Sequence, residues 1–201
     1  STKAIMFKSK KEIALRQKLT EEYNIDLFSA SEPRIAKELF ALFLSKKTGI
    51  KKYDLKKMRT YRNKLKVNDL ILPYIKFKTA TFQRLLSKFK DLELNSDDLK
   101  GSFKYTVKYK GLTTHFGLGG VHGAKKNVYT SNDEYVIMSS DVTSFYPNLA
   151  IRNGWSPEHL PKKEFCDQYE WFFNERKKIP KSDPRNYVYK IVLNSTYGLS
   201  N

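Results

Sequence analysis

Cysteine is nearly missing from this sequence. Cys166 stands alone among 201 residues, so neither an internal disulfide nor a paired-cysteine metal site can form within the chain. Histidine is scarce too: His115, His122 and His159 fit neither HExxH nor HxxxH spacing, which removes sequence support for a zinc centre. No apolar run approaches the roughly 20 residues that a membrane-spanning helix needs. Lys3, Lys8, Lys10 and Lys11 interrupt any signal-peptide core near the start. Repeats and low-complexity linkers are also absent. These gaps lead to the expectation of a soluble chain of the cytoplasm, or of a host cytoplasm if viral, in a reducing compartment and with no membrane partner.

Negative charge is the other deficit. Asp and Glu number 21 against 38 Lys and Arg, a formal net charge of +17, and the sequence pI is near 9.7. Such a surface attracts polyanions, nucleic acid first among them. A solubilising charge excess, a ribosome-like basic protein or a basic structural protein of a virion would share this composition. With 40% hydrophobic and 14% aromatic residues, there is ample material for a packed core.

The pattern along the chain predicts an α+β fold in three parts. Residues 1–100 read as a mostly helical, basic connecting region. Ser31-Glu32-Pro33 looks like a helix start, Ile35, Leu39, Leu42 and Phe43 recur at helical spacing, and Thr48-Gly49 ends the run. Lys51 to Lys66 interleaves basic residues with Tyr53 and Tyr61, as suits a phosphate-tracking surface or a solvated helix face. Residues 101–160 bring strands. Phe103 to Tyr109 alternates apolar and polar, Lys110-Gly111 supplies a turn, and a glycine cluster follows at Gly117, Gly119, Gly120 and Gly123. Tyr135-Val136-Ile137-Met138 reads as a buried strand leading to Asp141. Residues 161–201 read as two antiparallel helices joined near Ile179-Pro180. Ser182 or Asp183 caps the second of them, with Pro184 in its first turn. The spacing puts Phe165, Tyr169, Phe172 and Arg176 on one stripe, and Lys190, Asn194 and Tyr197 on one face. Arg176 is then expected to face Lys190.

Two segments carry the chemistry. In Asp141-Val142-Thr143-Ser144-Phe145-Tyr146-Pro147-Asn148, a carboxylate precedes a tight proline-containing turn, which suits a magnesium ion that also binds substrate phosphates. Alone, Asp141 reads as a helix cap or turn residue and Tyr146 as a core aromatic. In Lys190 to Gly198, the sequence KIVLNSTYG places Lys, Asn and Tyr on one helix face. That face makes a poor core surface, and either a polar ligand surface or a solvent-facing stripe.

Together, DVTSFYPN and KIVLNSTYG resemble motifs A and B of family B DNA polymerases, written Dx2SLYPS and Kx3NSxYG, in the same order. Motif B matches at every defined position, whereas motif A departs at Phe145 and Asn148. The resemblance implies part of a polymerase right hand: a β-containing palm segment and an antiparallel helical fingers hairpin. It implies DNA-directed nucleotidyl transfer from a dNTP to a primer 3′-hydroxyl with two Mg2+ ions. Asp141 and the Val142 carbonyl would be metal ligands, Asp141 being the catalytic carboxylate. Ser144, Phe145, Tyr146, Arg176, Lys190, Asn194 and Tyr197 would bind the nucleotide, with Tyr146 as a steric gate against a 2′-hydroxyl. A lysine partner of Arg176 stays open between Lys178 and Lys181. Gly119, Gly120 and His122 resemble the glycine loop of phage members and, with Gly198, would contact DNA.

The resemblance does not extend to the second metal carboxylate of motif C. Asp97-Asp98 and Asp133-Glu134 precede motif A, in the wrong order, and Asp91-Leu92-Glu93 matches the exonuclease DxE only by chance. The expected partners are therefore primer-template DNA, dNTP, and the remaining exonuclease, motif C palm and thumb segments, in cis or on a second chain. The expectation is a chain inactive alone: a fragment of a longer polymerase, half of a split one, or a degenerate product. A non-catalytic module that binds DNA or nucleotide is the alternative.

Overall fold

In chain order the helices begin with α1 (Lys10–Tyr23), α2 (Glu32–Thr48) and α3 (Lys52–Lys57). Strand β1 (Lys64–Lys66), a 3-10 turn (Val67–Leu70), α4 (Ala80–Lys90) and β2 (Glu93–Asn95) follow. Next come β3 (Lys104–Tyr109), β4 (Leu112–Gly117) and β5 (Gly120–Ala124), then α5 (Phe145–Asn153), α6 (Lys162–Lys178) and α7 (Pro184–Leu199). This computed structural model describes residues 7, 9–95, 104–117 and 120–199. The elements group into two units, one from residues 1–60 and 141–201, the other from 61–140.

The first unit is built on α2. Ile35, Ala36, Leu39, Phe40 and Leu44 recur at three- and four-residue steps and all are buried, the stripe that an amphipathic helix must cover. Pro33 sits in its first turn, and Gly49, at φ 74, donates its N–H to the Ser45 carbonyl at 2.9 Å to close the end. The cover comes from the far end of the chain. Phe165, Tyr169, Phe172 and Phe173 of α6 and Val188, Ile191, Val192 and Leu193 of α7 join the same core. Phe40 lies 5.0 Å from Phe165 and 6.0 Å from Phe172 between ring centroids. Each such side chain contributes about 1.5–3 kcal/mol on full burial.

Helices α6 and α7 are antiparallel, as the sequence predicts. The Tyr169 hydroxyl donates to the Leu193 carbonyl at 2.8 Å, while the Arg176 Nε donates to the Asn186 Oδ1 at 3.3 Å. As one helix advances the other recedes. Asp183 caps α7, its Oδ1 accepting the Arg185 N–H at 2.9 Å, and the Arg185 guanidinium holds its carboxyl down at about 2. Within the first unit, Glu38 of α2 is buried between Lys52 and Lys56 of α3. Burial pushes the Glu38 carboxyl up, but the two ammonium groups outweigh it and hold it below its ordinary value.

The second unit contains two small antiparallel sheets, β1–β2 and the meander β3–β4–β5. In β3, Lys104, Thr106 and Lys108 are exposed while Tyr105, Val107 and Tyr109 are half-buried, the alternation expected of this strand. Lys110 (φ 46) and Gly111 (φ 75) turn it into β4, as a two-residue hairpin with both central φ positive requires. The rings of Phe82, Phe89, Tyr105, Tyr109 and Phe116 interlock beneath the meander.

One expected element is different. Tyr135 to Met138 does not form a buried strand: the segment is irregular, with Val136 77% and Met138 88% exposed. A strand needs a neighbour for its N–H and C=O groups, and neither sheet includes this segment. Instead the Asn132 carboxamide oxygen accepts the Glu134 and Tyr135 N–H groups at 3.0 and 2.8 Å, which makes a local turn.

Candidate nucleotide-binding face

The turn after Asp141 is held by its own side chains. Asp141 and Val142 are exposed, and Ser144 adopts the left-handed conformation at φ 50, ψ 51. A non-glycine residue pays for that geometry unless something fixes it. Asn148 does so: its carboxamide donates to the Thr143 and Ser144 carbonyls at 2.9 and 3.2 Å, and its N–H donates to the Ser144 carbonyl at 3.0 Å. Pro147, fully buried, anchors the first turn of α5, where a missing N–H carries no penalty. Phe145 and Tyr146 are consequently left projecting, at 48% and 44% exposure.

Helix α7 shows two faces. Val188, Ile191 and Val192 go into the core, while Lys190, Asn194 and Gly198 are exposed and Tyr197 is half-buried. The predicted shared face of Lys190, Asn194 and Tyr197 is therefore the outward one. A Cβ added at Gly198 would meet nothing within 4 Å, so packing does not require glycine there. Its bareness keeps the surface beside Tyr197 open.

The two segments meet through their tyrosines. Tyr146 and Tyr197 stack with ring centroids 4.8 Å apart and planes inclined at 29°, within the range of favourable aromatic pairs. Phe145 adds a third ring 5.6 Å from Tyr146. Burial, and then the neighbouring Tyr146, push the Tyr197 phenol up. The result is an aromatic ledge flanked along α7 by Asn194 and Lys190, with the Asp141 turn leading into it.

Arg176 is placed differently from expectation. It is level with Asn186, one turn of α7 before Lys190, and bonds to Asn186 rather than facing Lys190. Asn186 is buried and ends α6, donating to the Arg176 and Ile179 carbonyls at 3.2 and 2.7 Å. Lys178 pairs with Glu175 at 2.6 Å, and Lys181 is exposed.

The DNA-contact candidates lie apart in the chain. Gly119 is outside the described residues. Gly120, at φ 143, opens β5, where exposed His122 pairs across the ladder with His115, whereas Gly198 belongs to the first unit. Asp97-Asp98 is also outside the described residues. Glu93 of the DxE match pairs with Lys64 at 2.7 Å. Part of the basic stretch is engaged within the fold: Glu38 holds Lys52 and Lys56, and the Lys57 ammonium sits 3.9 Å over the Tyr53 ring.

Three structural residues give no clear sequence signal. Asn148 reads as a departure from a motif, Asn186 as an ordinary helix residue and Tyr169 as a core aromatic, yet each satisfies backbone carbonyls that position this face. Among the described residues no group of three or more His, Cys, Asp or Glu comes together to hold a metal ion, and no helix is long and apolar enough to cross a membrane. Comparison with family models, curated proteins and solved structures finds no match to this chain.

Proposed function

We propose that the Tyr146–Tyr197 ledge is the nucleotide-binding face of a template-directed DNA polymerase of the family B type, of which this chain forms part of the palm and the fingers. The observation that carries the reading is the stack itself: the two motif segments lie 51 residues apart, from Tyr146 to Tyr197, and fold so that their tyrosines touch. A chance pair of motif matches has no reason to converge in space.

In this reading the deoxyribose rests on Tyr146, whose ring leaves no room for a 2′-hydroxyl, beside Phe145 and Ser144. Tyr197 lies against the nascent base pair. Lys190 offers a point charge to the triphosphate, Asn194 a hydrogen-bonding carboxamide, and Arg176 a planar fork. These groups offset negative charge that builds on the phosphates during transfer. Asp141 and the Val142 carbonyl would be the groups that hold a magnesium ion, a cation that needs only one or two protein carboxylates beside substrate phosphates. The ion held there would supply Lewis-acid activation of the primer hydroxyl. The reading calls for a second carboxylate, which the two motif segments do not supply.

Titrating the purified chain with a fluorescent dNTP in the presence of Mg2+ tests the reading. Lys190→Ala and Asn194→Ala, both at exposed positions, are each expected to weaken binding about tenfold, the scale of one charge-assisted or well-placed polar contact. Equal binding by the parent chain and both variants would remove the face from consideration.

A further inference from the structure

Around the side of α7 from Tyr197, helices α2, α3, α6 and α7 enclose a cavity of about 240 Å³. Buried Phe40, Leu44, Leu55 and Phe165 form its floor, and Lys37, Lys56 and Arg59 stand at its rim. Among the described residues no carboxylate lines it. We infer that this cavity is a docking site for an acidic peptide segment of a partner protein, which inserts one large apolar side chain between Phe40 and Phe165 and sets its carboxylates against Lys37 and Arg59.

Size argues first. The cavity is smaller than the roughly 300–1,000 Å³ of typical small-molecule sites, and an apolar floor under an open mouth suits a single anchoring side chain. Charge argues next. Glu38 is already held by Lys52 and Lys56, while among the described residues neither Lys37 nor Arg59 forms an ion pair. The Arg59 guanidinium is steadied by donating to the Lys56 carbonyl at 2.9 Å. Cations beside an apolar pocket complement an acidic chain with an apolar anchor.

The lining also argues against a nucleobase. Thr196 and His159 are its uncharged polar side chains, and His159 Nδ1 shares a hydrogen bond with the Thr60 hydroxyl at 3.1 Å. A base edge placed over Phe40 and Leu44 would lose its water without gaining enough partners. A leucine or phenylalanine side chain loses nothing there. Because Thr196 lines the cavity, the anchor would rest on the same helix that carries Lys190 and Asn194.

Fluorescence anisotropy with a short labelled peptide of aspartate and glutamate around one central phenylalanine tests this inference. Saturable binding is expected, weakened about tenfold or more when the phenylalanine becomes alanine. The double variant Lys37→Glu with Arg59→Glu, both at exposed positions, should show a similar loss at an unchanged melting temperature. Equal binding of the alanine peptide, or of the parent peptide to the charge-reversed chain, would overturn the proposal. So would a single-stranded oligodeoxynucleotide that displaces the phenylalanine peptide and loses affinity in the same double variant, which would assign the cavity to nucleic acid.

Discussion

Ser144 holds a backbone conformation that costs a non-glycine residue on the order of 1 kcal/mol, and Asn148 supplies the hydrogen bonds that stabilise it. The Thr143 carbonyl accepts from that carboxamide, while the Ser144 carbonyl accepts from both the carboxamide and the Asn148 backbone N–H. Asn148→Ala is expected to lower the stability of the chain by about 1 kcal/mol. Adding Ser144→Gly should recover part of that loss, because glycine adopts a positive φ without strain. Urea denaturation of the single and double variants checks this; no recovery in the double variant would mean that Asn148 does not act through the turn. The motif pattern marks Asn148 only as a departure. Its structural role becomes visible once the left-handed residue four positions earlier is seen.

The element that sets the face is the α6–α7 hairpin. Its existence is legible in the sequence, since Phe165, Tyr169 and Phe172 share one stripe and Asp183-Pro184 announces the second helix. Its register is not. The stripe that contains Arg176 suggests a pairing with Lys190, whereas Asn186 takes that place by bonding both the side chain and the carbonyl of Arg176. Nothing in a helical periodicity says which polar side chain will end the preceding helix. Replacing Asn186 by alanine leaves the Arg176 and Ile179 carbonyls without this donor, and the expected loss is about 1–3 kcal/mol. Thermal unfolding of Asn186→Ala measures it, and a melting temperature equal to that of the parent would show that the connection is held by other contacts. The segment from Tyr135 to Met138 was illegible for a related reason. Its composition is that of a strand, but a strand is decided by its neighbour, which one segment's pattern does not contain.

Across the whole molecule, packing does not follow the order of the chain. The apolar stripe of α2 is legible from Ile35, Leu39 and their neighbours, but its cover, α6 and α7, begins more than a hundred residues later. Charge is legible as a total and much less so as a distribution: Lys52, Lys56 and Lys64 pair with Glu38 and Glu93 within the fold, so fewer of the 38 Lys and Arg are free to meet a polyanion, while the net +17 already counts those carboxylates. What survives at this scale is the meeting of two distant segments at one aromatic ledge. Photolabelling with an 8-azido purine deoxynucleoside triphosphate and Mg2+, followed by mapping of the modified peptides, tests that meeting most directly. The account predicts adducts in residues 145–153 and 184–199, suppressed by excess unmodified dNTP. Labelling confined to other parts of the chain, or unaffected by the competitor, would contradict it.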